Sequence, residues 1–373
     1  LAKKKNNIDW FGIVLSDTFG GGSELQQINF FKNLVKQNHY CMMICLGRKN
    51  MGCWEFMEQK GKVVYFPFGP KWIKLNFLLL YPYLIFVFSR YRIRYTFSTQ
   101  TLINSAVGLF KRIGFLKKTK VVVRESNSIF KLLKGIKLQR YKLGYKIGYQ
   151  KVDLVICQTV FMKEQLLESI PWLRSKKVVV IENPIDLEDI AEKSKVPMPE
   201  LSQSPPYIVA AGSLHPKKGF DILIDAFERI KDKWPKLNLY ILGEGAQRPF
   251  LEEKIKALNL NNRVYLKGFQ TNVFPFFKMA QSCVMSSRIE GFPNVLLQMM
   301  SQNNSVVSTL SAGGIDKIPG IYTCPTKDVE ALAISMENAM VNDNSAKRAI
   351  FNEYLEKRSV QSFYEKIMGE IIV

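Results

Sequence analysis

Three stretches set small, charged and hydroxyl residues where a strand-like run gives way to a helix-like one. The first reads Ser16-Asp17-Thr18-Phe19-Gly20-Gly21-Gly22-Ser23-Glu24. Glycines let a ligand approach the backbone closely, and the free amides of a helix start favour phosphate. The same stretch also suits a plain turn capped by Ser23. The second reads Ala211-Gly212-Ser213-Leu214-His215-Pro216-Lys217-Lys218-Gly219. Lys218 stands at a helix mouth, where an ammonium neutralises a departing diphosphate, although Lys-Lys-Gly is also ordinary surface sequence. In the third, Glu290 precedes Gly291, Phe292, Pro293 and Asn294, and Gln298 follows eight residues after the acid. A carboxylate there accepts hydrogen bonds from sugar hydroxyls while helix amides hold phosphate oxygens. Its plainer use is to offset the helix dipole.

An alternation of strands and helices has to hold these stretches. Strand-like runs at 10–15, 40–46, 63–67, 95–99, 120–124, 154–158 and 178–182 alternate with helix-length segments at 23–36, 77–90, 102–111, 131–150 and 160–168. The pattern restarts with strands at 207–211, 237–242, 264–267, 282–286 and 305–309. Helical segments there fall at 219–233, 249–258, 273–279, 294–301 and 329–341. Such alternation predicts parallel sheets with crossover helices, and 373 residues predict two domains. The polar stretch KSKVPMPELSQSPP reads as a linker. The expected fold is α/β, with two Rossmann-like, doubly wound parallel-sheet domains facing a cleft. Residues 1–188 form the first, 189–206 the linker and 207–373 the second, with the last helix a candidate to cross back to the first. Ligands in such sheets bind beyond the carboxyl ends of strands, which is where all three stretches fall.

The chain carries 53 Lys and Arg against 32 Asp and Glu, and residues 1–190 hold 31 and 13 of these. Residues 111–151 hold thirteen basic residues with one acid, Glu125. That field attracts phosphate on nucleic acid, anionic lipid or a pyrophosphate-linked substrate, or it is simply a solvated lysine-rich surface. No nucleic-acid-binding module accompanies it, so nucleic acid is not an expected partner. The run FLLLYPYLIFVF at 77–88 is too short for the ~20 residues of a bilayer span. Flanked by Lys71, Lys74, Arg90, Arg92 and Arg94, it suits a buried helix or one resting on a membrane face. Six Cys without a C-x-x-C pair read as reduced thiols in a cytosolic compartment, and two His make a His-based metal site unexpected. Leu1–Asn7 leads into a short strand-like run, which predicts no secretory leader. The first glycine loop is not G-x-G-x-x-G, which disfavours a nicotinamide cofactor.

Over nearly its whole length the sequence resembles the retaining glycosyltransferases of family 4, of the group 1 type, which have the GT-B fold. The resemblance rests on GGGSE (20–24), IENPID (181–186), AGSLHPKKGFDILIDAF (211–227), LGEGAQRPFLEEKIKALNL (242–260), VYLKGF (264–269), SSRIEGFPNVLLQMM (286–300) and AGG (312–314). It implies that Lys218 contacts the diphosphate of a nucleotide-sugar donor and Glu290 its sugar, and these two are the catalytic candidates. Gly291, Phe292, Pro293 and Asn294 match the turn that holds sugar and phosphate. Gly21 and Gly22 match a loop that closes over the phosphate, and Gly243 and Gly245 one near the nucleotide. The main chain at Lys267, Gly268 and Phe269 matches the region that reads the base. Glu24, Arg124, Glu125 and Asn127 are the acceptor-side candidates.

Three positions depart from the family pattern. Gln298 stands where a second acid usually holds the ribose, Ser213 where Arg is frequent, and Arg124-Glu125-Ser126-Asn127 fills the loop where a His is frequent. Both Ser213 and Gln298 stay in the expected donor set. A neutral acceptor at Gln298 weakens that contact by roughly 1 kcal/mol, about fivefold in affinity. The implied activity is retaining hexosyl transfer from a nucleotide diphosphate, UDP expected, to a glycan or lipid-linked acceptor in cell-envelope polysaccharide synthesis, capsule or lipopolysaccharide. No Asp-x-Asp triplet occurs, so neither a metal nor another cofactor is expected. An anionic membrane surface is an expected partner, placing the protein in the cytoplasm against the inner face of a bacterial cytoplasmic membrane. The alternative is a non-catalytic sugar-nucleotide-binding subunit of a glycan-assembly complex, which Gln298 and Ser213 motivate.

Overall fold

The computed structural model describes residues 6–17, 22–126, 130 and 133–372. The chain divides into two compact units, Leu1–Pro184 with Val360–Val373, and Ile185–Ser359. In the first, β1 (Asn6–Val14), α1 (Gly22–Lys36), β2 (Cys41–Cys45), β3 (Gly61–Tyr65), α2 (Ile73–Arg90) and β4 (Tyr91–Ser98) are followed by α3 (Thr101–Arg112), β5 (Lys120–Arg124), α4 (Gly135–Gly148), β6 (Leu154–Cys157), α5 (Val160–Ser169) and β7 (Val178–Val180). The seven strands pair in parallel in the order β3-β2-β1-β4-β5-β6-β7. CMMIC in β2 and LVIC in β6 are buried at every position, as strands covered on both faces by helices must be.

Two apolar cores lie in this unit. One gathers Ile8, Phe11, Leu80, Leu84, Val107 and Phe110, and the other Trp10, Phe30, Phe31, Phe97 and, from the C-terminal helix Val360–Ile372, Phe363 and Ile367. Strand order reverses between β1 and β4, so their carboxyl ends diverge into a topological switch point. Gln27 of α1 bridges that opening, its amide donating to Ile13 O (3.1 Å) and Phe97 O (3.2 Å). Asp17 is buried and accepts from the amides of Asn50, Gly52 and Cys53 at 2.8–2.9 Å, which fixes the end of the β1 loop.

The apolar run at 77–88 is part of a longer helix than the sequence suggests. α2 has 18 residues and passes through Pro82; it is the one helix among the described residues long and apolar enough to cross a membrane, by length and composition alone. One face is committed to the core through Leu80, Leu84, Val87 and Phe88, and Asn76 donates to Leu46 O and Phe68 O, both 2.8 Å. Leu78, Ile85 and Phe86 face outward.

The second unit holds α6 (Leu187–Lys193), α7 (Pro199–Ser202), β8 (Tyr207–Ala211), α8 (Phe220–Ile230), β9 (Asn238–Leu242), α9 (Arg248–Ala257) and β10 (Val264–Gly268). After these come α10 (Phe274–Met279), β11 (Ser282–Met285), α11 (Asn294–Gln302), β12 (Val306–Thr309), β13 (Tyr322–Cys324), α12 (Val329–Val341) and α13 (Lys347–Glu356). Its parallel sheet runs β10-β9-β8-β11-β12-β13, with the switch point between β8 and β11. The boundary read at 188 falls at Pro184, and residues 189–206 are not a free linker. Ile190 and Leu201 are buried in one core with Phe277 and Met299, so each anchors a short helix in an otherwise polar stretch. Asp186 caps the first of these helices by accepting from Asp189 N (3.0 Å).

Candidate functional site

In the second unit the loop after β11 is hydrogen-bonded both to the loop after β8 and to the loop after β12. Arg288 N donates to Lys217 O (2.7 Å), Ser286 Oγ to Lys218 O (3.0 Å), and Glu290 N to Ser311 O (2.8 Å). Gly219 has φ +65°, and a Cβ there would stand 2.2 Å from Ser286 O, so only glycine lets the two loops meet before α8 begins. The Arg288 guanidinium grips Asp221 of α8 through both nitrogens at 2.8 and 2.5 Å. Burial raises the Asp221 carboxyl, but the hydrogen bond and charge of Arg288 outweigh it and hold the group below the usual carboxylate range.

This scaffold delivers two charged side chains to one point at the switch. Lys218 Nζ lies 2.6 Å from Glu290 Oε1, and Ser287 Oγ donates to the same oxygen at 2.9 Å. Both side chains are mostly buried, 16% and 11% exposed, so the pair is screened much less than a surface ion pair. Beyond Glu290 the chain passes Gly291 and Phe292, and Pro293 caps α11 with extended backbone and no side-chain hydrogen bond. Asn294 begins that helix. Gln298 lies one turn along it, four residues on and therefore on the same face, and is partly exposed.

The remaining donor-side positions form the neighbouring rim. Gly243 N donates to Gly268 O (2.7 Å), and Leu214 N to Glu244 O (2.9 Å). A Cβ at Gly243 would meet Gly212 O at 2.0 Å, and one at Gly245 would meet Leu214 O at 2.4 Å. These glycines are therefore required first for loop-on-loop contact. Lys267 Nζ rests 4.4 Å from the centroid of Tyr240 and 5.4 Å from that of Tyr265, while Phe269 is half exposed beside it. Ser213 is exposed.

In the first unit, Gly21 and Asn127 lie outside the described residues, and Gly22 opens α1. Glu24 is buried in the first turn of α1, accepting from Ser23 Oγ (2.7 Å) and Gln100 Nε2 (2.9 Å). Arg124 and Glu125, read as acceptor-side candidates, are only 1% and 2% exposed; any effect on an acceptor runs through the groups they hold. Glu125 accepts from Tyr145 Oη (2.6 Å), Tyr149 Oη (2.5 Å), Thr101 Oγ1 (3.2 Å) and Asn104 Nδ2 (3.4 Å). Burial pushes its carboxyl above the usual range, and these four donors oppose that rise. Burial likewise lowers the Arg124 guanidinium to about 10; it donates to Asn183 Oδ1 and, at 3.5 Å, to Ser126 Oγ.

The sequence reading missed Ser287, the Arg288–Asp221 clamp and the tyrosine pair. Only the i, i+4 spacing of Tyr145 and Tyr149 on an otherwise basic helix carries a signal, since it puts two phenols on one face. Hydroxyls such as Ser287 and Thr101 give none until the fold brings them to a carboxylate.

Residues 205–342 match the family described as Glycosyl transferases group 1. An uncharacterized glycosyltransferase of Methanocaldococcus jannaschii is 32% identical over 208 residues, 55% of this chain and 50% of that protein. The N-acetylgalactosamine-N,N'-diacetylbacillosaminyl-diphospho-undecaprenol 4-alpha-N-acetylgalactosaminyltransferase of Campylobacter jejuni is 27% identical over 250 residues, 64% of this chain and 65% of that protein. The chain thus spans between half and two thirds of the length of these relatives. Among solved structures, Anabaena HepE in complex with UDP superposes with a TM-score of 0.76 at 16% identity, covering 97% of this chain and 99% of that one. The fold is GT-B.

Proposed function

We propose that this chain, which carries a group 1 glycosyltransferase domain at 205–342 within a GT-B fold, is a retaining glycosyltransferase of family 4 type that takes its sugar from UDP. The observation that carries the reading is the Lys218–Glu290 pair at the β8/β11 switch point, directly before α11. A diphosphate offers Lys218 more negative charge than one carboxylate, so donor binding draws the ammonium to the phosphates. Glu290, steadied by Ser287, is then free to accept from a donor-sugar hydroxyl. As the glycosidic bond breaks, charge grows on the diphosphate, where Lys218 and the α11 amides stabilise it. Lys218 then does the work a divalent cation does elsewhere, and catalysis proceeds with chelator present. Retention follows from front-face attack, in which the departing phosphate takes the proton of the acceptor hydroxyl. A glycosyl-enzyme adduct trapped by mass spectrometry would overturn that step.

The acceptor is a lipid-linked or oligosaccharide glycan of envelope assembly, met at the cytoplasmic face of the membrane. The printed name of the Campylobacter relative describes a diphospho-undecaprenol acceptor, and the first unit of this chain is the basic one. The outward face of α2 with Lys71, Lys74, Arg90 and Arg92 suits an anionic bilayer. Vesicles containing phosphatidylglycerol should bring the protein up a density gradient at low salt and release it at high salt. A thermal-shift screen of nucleotide sugars, followed by assay of UDP release, tests the main reading. UDP-sugar binding without release or transfer would leave the chain as a non-catalytic binding subunit, the reading that Gln298 favours.

A further inference from the structure

A cavity of about 260 Å³ lies in the second unit, at the end of the sheet that the donor chemistry does not use. Pro206, Leu237 and Gln281 line it and stand immediately before β8, β9 and β11, so it opens at the amino ends of those strands. Lys218 and Glu290 lie beyond the carboxyl ends, and the five residues of β8 at ~3.3 Å each put the two places roughly 15 Å apart. Pockets for drug-sized molecules begin at roughly 300 Å³, so this one holds a ring system or a short branched chain.

Its wall is apolar and held in shape. Pro206, Trp234, Pro235 and Leu237 form it. Trp234 packs against the core that buries Leu237, and its indole Nε1 donates to Glu337 Oε1 of α12 (3.4 Å), which fixes the ring. Arg263 braces the same loop, donating to the carbonyls of Trp234 (2.7 Å), Leu237 (2.7 Å) and Lys231 (3.4 Å). Leu237 N donates to Trp234 O (3.0 Å), and Asn238 N to Pro206 O (2.8 Å). A wall tied down in this way needs little further ordering when a guest arrives.

The polar groups select the guest's charge. Lys233 is engaged by Glu337 (2.8 Å), whereas Lys236 and the side-chain amide of Gln281 are exposed and bond to no described residue. No Asp or Glu lines the cavity, since Asp232 of the same loop stays out of the wall and Glu337 already holds Lys233 and Trp234. A cationic guest therefore finds no counter-charge, and a sugar finds one amide for its several hydroxyls. An apolar body gains contact with Trp234 and the two prolines, and an anionic group at its edge meets the Lys236 ammonium and the Gln281 N–H groups.

We propose that this cavity binds a small amphipathic acid, an aromatic or branched apolar body carrying one carboxylate, with Lys236 as its counter-ion. The site does not depend on the glycosyltransferase reading, and its occupant binds together with the donor. The test is calorimetry on the full chain with 1-naphthoate, and with 1-naphthalenemethanol and 1-naphthylmethylammonium as neutral and cationic bodies of the same ring. The carboxylate should bind about threefold tighter than the alcohol, the range of one exposed ion pair, and the ammonium should bind weakest. Saturating UDP-glucose should leave naphthoate affinity within about twofold. Lys236→Gln should bring naphthoate down to the level of the alcohol and leave the alcohol unchanged. Gln281→Trp fills the cavity from an exposed position and should abolish binding of all three, with the melting temperature and UDP-glucose binding unchanged.

Absence of naphthoate binding by the folded chain would overturn the site, and equal affinity for the three bodies would overturn the selection of an acid. Naphthoate binding that survives Gln281→Trp, or that UDP-glucose displaces, would put the ring elsewhere and overturn the proposal as well. A chain that binds naphthoate here but no nucleotide sugar would sink the proposed function and leave this site standing.

Discussion

The two units present the same topological feature with opposite chemistry. At the β8/β11 switch point stands a close ion pair, Lys218 and Glu290, ahead of a nine-residue helix. At the β1/β4 switch point stands a neutral pocket whose hydroxyls turn their hydrogens inward, with its charges, Arg124 and Glu125, buried behind it. A parallel sheet that reverses its strand order supplies a crevice in both places. The fold thus sets where a ligand sits, and the side chains on the loops set what it is. The charged crevice offers an anion a cation, whereas the neutral one has no Lys or Arg in its lining.

Replacing Lys218 by Ala should break the charged half of that contrast. It removes the group opposing charge on the leaving diphosphate and leaves Glu290 without its ammonium. Loss of one such preorganised contact costs about 10²–10³ in kcat. UDP release and transfer should fall by that factor while the far-UV spectrum is unchanged. A loss under threefold would mean that the switch-point cation does not stabilise the leaving group.

The neutral half rests on Glu125, and its removal should register in stability before anything else. Glu125→Ala leaves the phenols of Tyr145 and Tyr149 and the Asn104 amide without their shared acceptor, at a cost of about 3 kcal/mol by urea denaturation. Glu125→Gln should cost less and expose a pH effect. Burial holds the folded carboxyl above its unfolded range, so the native chain binds that proton more tightly. Its contribution is complete below the ordinary glutamate range and is lost as pH rises through the folded value. The stability difference between native chain and Glu125→Gln should therefore shrink as pH is raised from 4, and a flat difference would show Glu125 to be titrating normally.

What the sequence could reveal follows the same division. Period and punctuation made both sheets legible, because a buried parallel strand is an apolar run and each crossover helix has its own length. Lys218 and Glu290 drew attention only by standing in loops that follow strands, since both are common types, and their pairing shows only in the fold. The neutral pocket drew none. Thr99, Thr101 and Ser126 are common residues, and only Gln27, Glu125 and the Thr99 carbonyl determine the direction of their hydrogens. The supposed linker failed for a similar reason: Ile190 and Leu201 look isolated in sequence yet reach a core built by residues some 90 positions later.

The smallest expected effect concerns Gln298, and it sharpens the charged half without breaking it. Gln298 shares a helix face with Asn294, four residues back, at the helix start that receives the donor phosphate in the proposed reading. An amide oxygen accepts a hydroxyl hydrogen as a carboxylate does, but without a charge to strengthen the bond, a difference of roughly 1 kcal/mol. Gln298→Glu should accordingly tighten UDP about fivefold by calorimetry if its partner is a ribose hydroxyl. The gain should vanish with a carbocyclic nucleotide lacking both ribose hydroxyls. If instead the position faces a phosphate, the added charge would weaken UDP binding, and the sign alone decides between the two.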